Sequence, residues 1–252
     1  MASAILGGIL RGGLLKADRI AVSDRDGEKL AVMAQNGVFT TADNKEIAAE
    51  SEYVMFAVKP QVAPAVFEEI APVLAANTVV SIMAGISINK LRSALGERNY
   101  ARIMPNTPAL VGEGMSAVAF SEGYRSQFVL DVFGSVGKVA ELDEKLFDAV
   151  TSLSGSGPAY VYMFIKALIE GGVQGGLDYH TARLLAVETV RGAAKMVAAS
   201  GGKSVDELID AVCSKGGTTI QAVESYRADG LEDIVVRGMT KCRRRSEELG
   251  NG

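Results

Sequence analysis

The chain changes texture once, and that change limits what it can fold into. Up to about residue 140, short apolar runs alternate with helical patterns; beyond about residue 142 the strand signals cease. Tyr53-Val54-Met55-Phe56-Ala57-Val58 is a continuous apolar run, the pattern of a strand covered on both faces. Ile20 to Ser23, Thr78 to Met83 and Ala101 to Met104 read as further strands. Met115 to Phe120 and Lys138 to Glu141 are weaker candidates, expected near the sheet edge. Between them, Gly27 to Gln35 carries Leu30, Met33 and Ala34 on one helical face, and Val62 to Ala75 is helical within limits set by Pro64 and Pro72. Alternating strands and helices imply right-handed crossovers and a parallel, doubly wound, Rossmann-like α/β sheet.

The second half reads as all-α. Pro158 suits the first turn of a long helix, which Ser154, Ser156 or Gly157 can cap. His180 to Ala199 is a second helix, closed by Ser200-Gly201-Gly202. Ser204 and Glu207 have capping-box spacing, and helices follow over Thr218 to Tyr226 and Leu231 to Leu249. We expect a dinucleotide-binding domain over 1–148 and a helical domain over 149–252. Small-residue spots such as Gly171-Gly172 and Gly175-Gly176 and the apolar excess of these helices favour pairing with a second copy over a self-contained bundle.

Composition removes several function classes. The 252 residues carry 26 Lys+Arg against 30 Asp+Glu, a net charge of -4, which argues against a general nucleic-acid binder. Two cysteines without a CxxC pair and a single histidine, His180, give no zinc site and suit a reducing, cytoplasmic setting. The apolar start is interrupted by Arg11 and is too short to span a bilayer, so no membrane partner is expected. Nothing resembles a Ser/His/Asp triad or a paired-carboxylate glycosidase site.

The chemistry-bearing residues gather at strand ends. Asp24 follows a strand, where an acid in a dinucleotide fold binds the adenosine ribose about 20 residues after a Gly-rich turn. Ser23 and Arg25 beside it suit a ribose 2′-phosphate, whereas Asp24 suits the free hydroxyl; the balance favours NADPH, with NADH as the alternative. Ala57-Val58-Lys59-Pro60, Met83-Ala84-Gly85 and Met104-Pro105-Asn106-Thr107-Pro108 end three successive strands and fit the lining of a flat cofactor. Ser214-Lys215-Gly216-Gly217-Thr218-Thr219 lies between two helices, where freed amides and a helix N-terminus can take a carboxylate.

Together with Ser154-Gly155-Ser156-Gly157-Pro158-Ala159-Tyr160, these motifs resemble pyrroline-5-carboxylate reductase, in order and over the whole chain. The resemblance implies reduction of a cyclic imine to L-proline by NAD(P)H, a helical dimerisation domain, and dimers that can assemble into rings. It places the cofactor against Ser23, Asp24, Arg25 and Asn44, with Ala57, Val58, Lys59, Pro60, Ala84 and Gly85 toward the nicotinamide; Asn106, at the third strand end, is a further expected cofactor contact. It places the substrate at Ser214, Gly216, Gly217, Thr218 and Thr219, with Glu144 as a further contact and Thr219 as the catalytic hydroxyl. Lys215 stands where the family often has Pro.

One departure stands out. Ala2 fits the last small residue of a G-x-G-x-x-A turn, so the two glycines and the strand before them would lie upstream of Met1. The expectation is a start further upstream, in preference to a true truncation with weak cofactor binding; as written, the chain should bind cofactor weakly. Two other readings are a β-hydroxyacid-dehydrogenase-type reductase using Lys166 or Lys195, and a non-catalytic dimeric remnant.

Overall fold

The computed structural model describes residues 1–251. The chain divides into two compact units: Met1–Ser156 with Cys242–Gly252, and Gly157–Lys241. The division thus falls a few residues later than the boundary expected at 148/149, and the end of the last helix belongs with the first unit.

The first unit opens with helix α1, Ala2–Arg11. Its apolar side chains Ile5, Leu6 and Ile9 are buried, and Gly8 lets the backbone approach closely, since a Cβ there would run into Val136 and the Ser135 hydroxyl. Strand β1 (Ala21–Ser23), helix α2 (Gly27–Ala34), strand β2 (Phe39–Thr41) and helix α3 (Asn44–Glu50) follow. Of the face expected on α2, Met33 is buried, Leu30 is half-buried and Ala34 is exposed.

Strands β3 (Tyr53–Phe56), β4 (Thr78–Ser81), β5 (Tyr100–Met104), β6 (Gly114–Phe120) and β7 (Gly137–Glu141) form a five-stranded sheet in that order. Helix α4 (Ala63–Ile70) joins β3 to β4, α5 (Ile88–Leu95) joins β4 to β5, and α6 (Gln127–Gly134) joins β6 to β7. The sheet is not wholly parallel: β5 and β6 run antiparallel, with Arg102 opposite Ala119. Only β7 of the two weaker strand candidates lies at the edge; β6 sits inside the sheet. The continuous apolar run 53–58 shortens to β3, which is half-buried along most of its length.

The pair β1–β2 is parallel but forms a sheet of its own. Among the described residues, no strand pairs with the second edge of β1 or of β3. Two apolar clusters cover the five-stranded sheet, one around Phe56, Phe67, Leu91, Tyr100 and Phe147, the other around Ile5, Val80, Ile103, Val118 and Phe133.

After the short helix α7 (Phe147–Val150), the chain makes a π-helical turn over Thr151–Gly155. The second unit holds α8 (Gly157–Gln174, with Pro158 in its first turn), α9 (Tyr179–Ala199), α10 (Val205–Val212) and α11 (Thr218–Ala228). Asp178 caps α9, and Ser204 with Glu207 forms the expected capping box on α10. Helix α12 (Leu231–Asn251) begins in this unit. Its Arg243 and Arg245 form exposed pairs with Glu247 and Glu248 on the same helix.

Candidate active site

The tip of β1 brings together residues that are distant in sequence. The Ser23 hydroxyl donates to Asn44 Oδ1 at 2.7 Å. Asn44 Nδ2 in turn donates to Glu69 Oε2 at 2.9 Å, joining the tip of β1, the first turn of α3 and the end of α4. Asp24 Oδ1 accepts the Asp26 N–H at 3.0 Å, which leaves its second oxygen for a ligand. Arg25 is exposed at the same turn. Asp26 caps α2, and its hydrogen bond to Lys29 holds its carboxyl below the usual carboxylate range. An acid, a hydroxyl and a guanidinium at one strand end are a donor and acceptor set that fits the ribose end of a dinucleotide.

The neighbouring strand ends are built for close contact. Ala57 and Lys59 are exposed after β3, with Val58 and Pro60 half-buried. Gly85, after β4, has φ +75° and is buried, and a Cβ there would lie 3.3 Å from the Leu249 backbone at the end of α12. At the start of α1, Ala2 is half-buried and Met1 supplies no side-chain cap, so the first amides keep their donors for an anion.

Two expected contacts have other work. Asn106 is 9% exposed; its Oδ1 accepts the Met115 N–H at 2.9 Å and its Nδ2 donates to the Ser154 carbonyl at 3.1 Å. It therefore pins the β5–β6 connection to the π turn. Glu144 Oε1 accepts from Arg102 Nη1 at 2.9 Å and from the Ile88 N–H at 2.8 Å. The Arg102 guanidinium also lies 4.8 Å from the centre of the Phe147 ring. Glu144 thus anchors the start of α5, just beyond Gly85. Sequence reasoning missed Glu69 and Arg102; Ser154, a cap candidate, has its hydroxyl buried with no hydrogen-bond partner among the described residues. Glu69 looks like any helical surface charge, and Arg102 sits in a strand without a visible partner until the fold pairs it with residue 144.

The loop 214–217 lies in the second unit. Gly216 has φ +73°, a conformation that demands glycine, and Gly217 caps α11 without a side-chain hydrogen bond. A Cβ on Gly217 would strike the Ser214 hydroxyl. The first amides of α11, with Thr218 and Thr219, are therefore left for an anion. His180 lies in the first turn of α9 with its N–H on Asp178, and Lys166 pairs with Glu170 on an exposed face.

Comparison with known proteins decides the family. A relative from Arabidopsis thaliana, "Pyrroline-5-carboxylate reductase", is 39% identical over 99% of this chain and 92% of its own length. The chain belongs to the pyrroline-5-carboxylate reductase family. An Escherichia coli relative of the same description is 38% identical, covering 99% of this chain and 94% of its own. Residues 144–249 match the family profile for pyrroline-5-carboxylate reductase dimerisation, and residues 1–85 match that for NADP oxidoreductase, coenzyme F420-dependent. Among solved structures, the reductase from Coxiella burnetii superposes with TM-score 0.90 at 33% identity, covering 98% of this chain and 94% of its own. A Plasmodium falciparum pyrroline carboxylate reductase with NADP bound gives TM-score 0.90 at 31% identity, with the same coverage. These matches uphold the Rossmann-like domain followed by a helical domain. Neither the β-hydroxyacid-dehydrogenase-type reading nor the remnant reading gains support from them.

Proposed function

We propose that the protein reduces the cyclic imine 1-pyrroline-5-carboxylate to L-proline with NAD(P)H, the closing step of proline synthesis. The observation that carries this reading is the end-to-end likeness to pyrroline-5-carboxylate reductases, 39% identity over 99% of the chain. A bound dinucleotide supplies a hydride to the imine carbon; a proton goes to the ring nitrogen, and the C=N bond becomes a single bond. The chain's own task is alignment and charge handling. Ser23, Asp24, Arg25 and Asn44 take the adenosine end, Ala2 contributes to the pyrophosphate site, and residues 57–60, Ala84 and Gly85 line the nicotinamide half, backed by Asn106. The amides of Thr218 and Thr219 at the N-terminus of α11 hold the substrate carboxylate, and Ser214, Gly216 and Gly217 shape the loop before them, the Gly217 N–H donating to the Ser214 carbonyl at 2.9 Å. Thr219 hydrogen-bonds the ring nitrogen or relays its proton through water. Glu144 serves the site through Ile88 and Arg102.

NADPH is the favoured reductant, supported by the NADP-bound Plasmodium falciparum neighbour and by Arg25 at the β1 tip. The working form is a homodimer or a larger ring; large apolar side chains on the second unit, Met163, Leu184 and Val236 among them, are exposed in the single chain. No described helix is long and apolar enough to cross a membrane; we place the enzyme in the cytoplasm. The test is NADPH absorbance on addition of pyrroline-5-carboxylate. Steady loss of reduced cofactor with matching proline formation is expected. Cofactor binding without turnover would refute the substrate assignment. A Thr219→Ala variant with unchanged turnover and substrate affinity would remove that residue from the reaction.

A further inference from the structure

We infer that Glu69, acting through Asn44, tempers the preference for NADPH over NADH by fixing which way the Ser23 hydroxyl points. The inference rests on the dinucleotide reading above and adds a positioning residue to it.

An ionised carboxylate can only accept hydrogen bonds. Glu69 Oε2 lies 2.9 Å from the Asn44 side chain, so the atom of Asn44 that faces it must be the NH₂ group. The amide oxygen is then turned toward Ser23, whose oxygen is 2.7 Å away. A carbonyl oxygen has no proton to give, so the single hydroxyl proton of Ser23 is committed to Asn44. What Ser23 presents outward is lone pairs. Lone pairs accept readily from a ribose 2′-hydroxyl. They face a 2′-phosphate, itself rich in acceptors, without a proton between them. Asp24 adds a carboxylate at the same turn, and the exposed Arg25 offers donors. The relay Glu69–Asn44–Ser23 thus tempers the preference that Arg25 creates.

Replacing the carboxylate with an amide, as in Glu69→Gln, releases the constraint. The new side chain can donate to Asn44, the Asn44 amide can turn over, and its NH₂ then meets the Ser23 oxygen. The hydroxyl proton becomes available to a phosphate oxygen. A hydrogen bond to a charged group gained in this way corresponds to about a tenfold change in affinity.

The experiment measures dissociation constants of NADH and NADPH by fluorescence titration of the full chain. It compares wild type, Glu69→Gln, Ser23→Ala and the double variant. We expect Glu69→Gln to shift the ratio of the two constants toward NADPH by about tenfold. We expect that shift to vanish in the Ser23→Ala background, because a relay needs its last member. A shift that persists without Ser23 would show a plain charge effect and overturn the relay. So would an equal change for both dinucleotides, or none. Failure of wild type to bind either dinucleotide would instead defeat the cofactor reading on which the inference stands.

Discussion

In the first unit, Tyr100, Phe133, Phe147, Val79 and Leu91 are excluded from solvent almost completely. In the second, among the described residues of 157–241, only Ala182 and Ala186 are buried to that class, while Met163 is 71% exposed and Leu184 62%. The first unit turns its large apolar side chains inward; the second has helices whose large apolar side chains still look outward. A helix gains most of its stability from burying an apolar face, so the second unit's stability is tied to association.

This contrast can be attacked from either side. Phe133→Ala should remove about 3–5 kcal/mol from the first unit, seen as a lower denaturation midpoint with little change in oligomer mass. Leu184→Glu should act the other way round. Placing a charge on a face that becomes desolvated costs on the order of 3 kcal/mol of association, so sedimentation should show the mass falling toward one chain. An unchanged mass would mean that this part of α9 is not in the interface. Tyr100 gives a smaller effect with a definite pH sign. Burial pushes its phenol above the ordinary value of 10.0, so the fold favours the protonated form. Stability should be constant below the unfolded value and fall as pH rises through and beyond it, and Tyr100→Phe should flatten that fall. Losing its hydrogen bonds to the Gly96 and Leu91 carbonyls should itself cost about 1 kcal/mol. Ser204→Ala removes the capping box of α10 and should cost about 1 kcal/mol, legible as a lower unfolding midpoint. Arg243→Ala breaks only an exposed pair with Glu247, and the midpoint should move by less than about 0.5 kcal/mol.

Much of this architecture was readable before folding. The apolar runs of β3, β4 and β5, the cap at Ser204 and the first-turn Pro158 carry their structure locally. The direction of β6 does not lie in its apolar pattern, yet the clue was present: only residues 105–113 separate it from β5, too few for a crossover of a dozen or more residues. The placement of Ser23 and Asp24 at the tip of β1 was legible because a dinucleotide fold assigns such positions, whereas Asn44, in the first turn of α3, came only with the family resemblance. The partners of Asn106 and Glu144 were not, since a pairing between residues 102 and 144 is a property of sheet order rather than of spacing. The return of α12 to the first unit was equally hidden. Its helical period gives its length and says nothing of where its end packs.

That return has a consequence for how the protein is made. Ser246 is 6% exposed with its hydroxyl on Asp148 at 2.6 Å, and the Leu249 backbone lies against Gly85. On the ribosome, the residues that cover Gly85 and Asp148 are made long after the strands and helices they pack on. The segment around Gly85 therefore stays uncovered on this side until α12 has emerged.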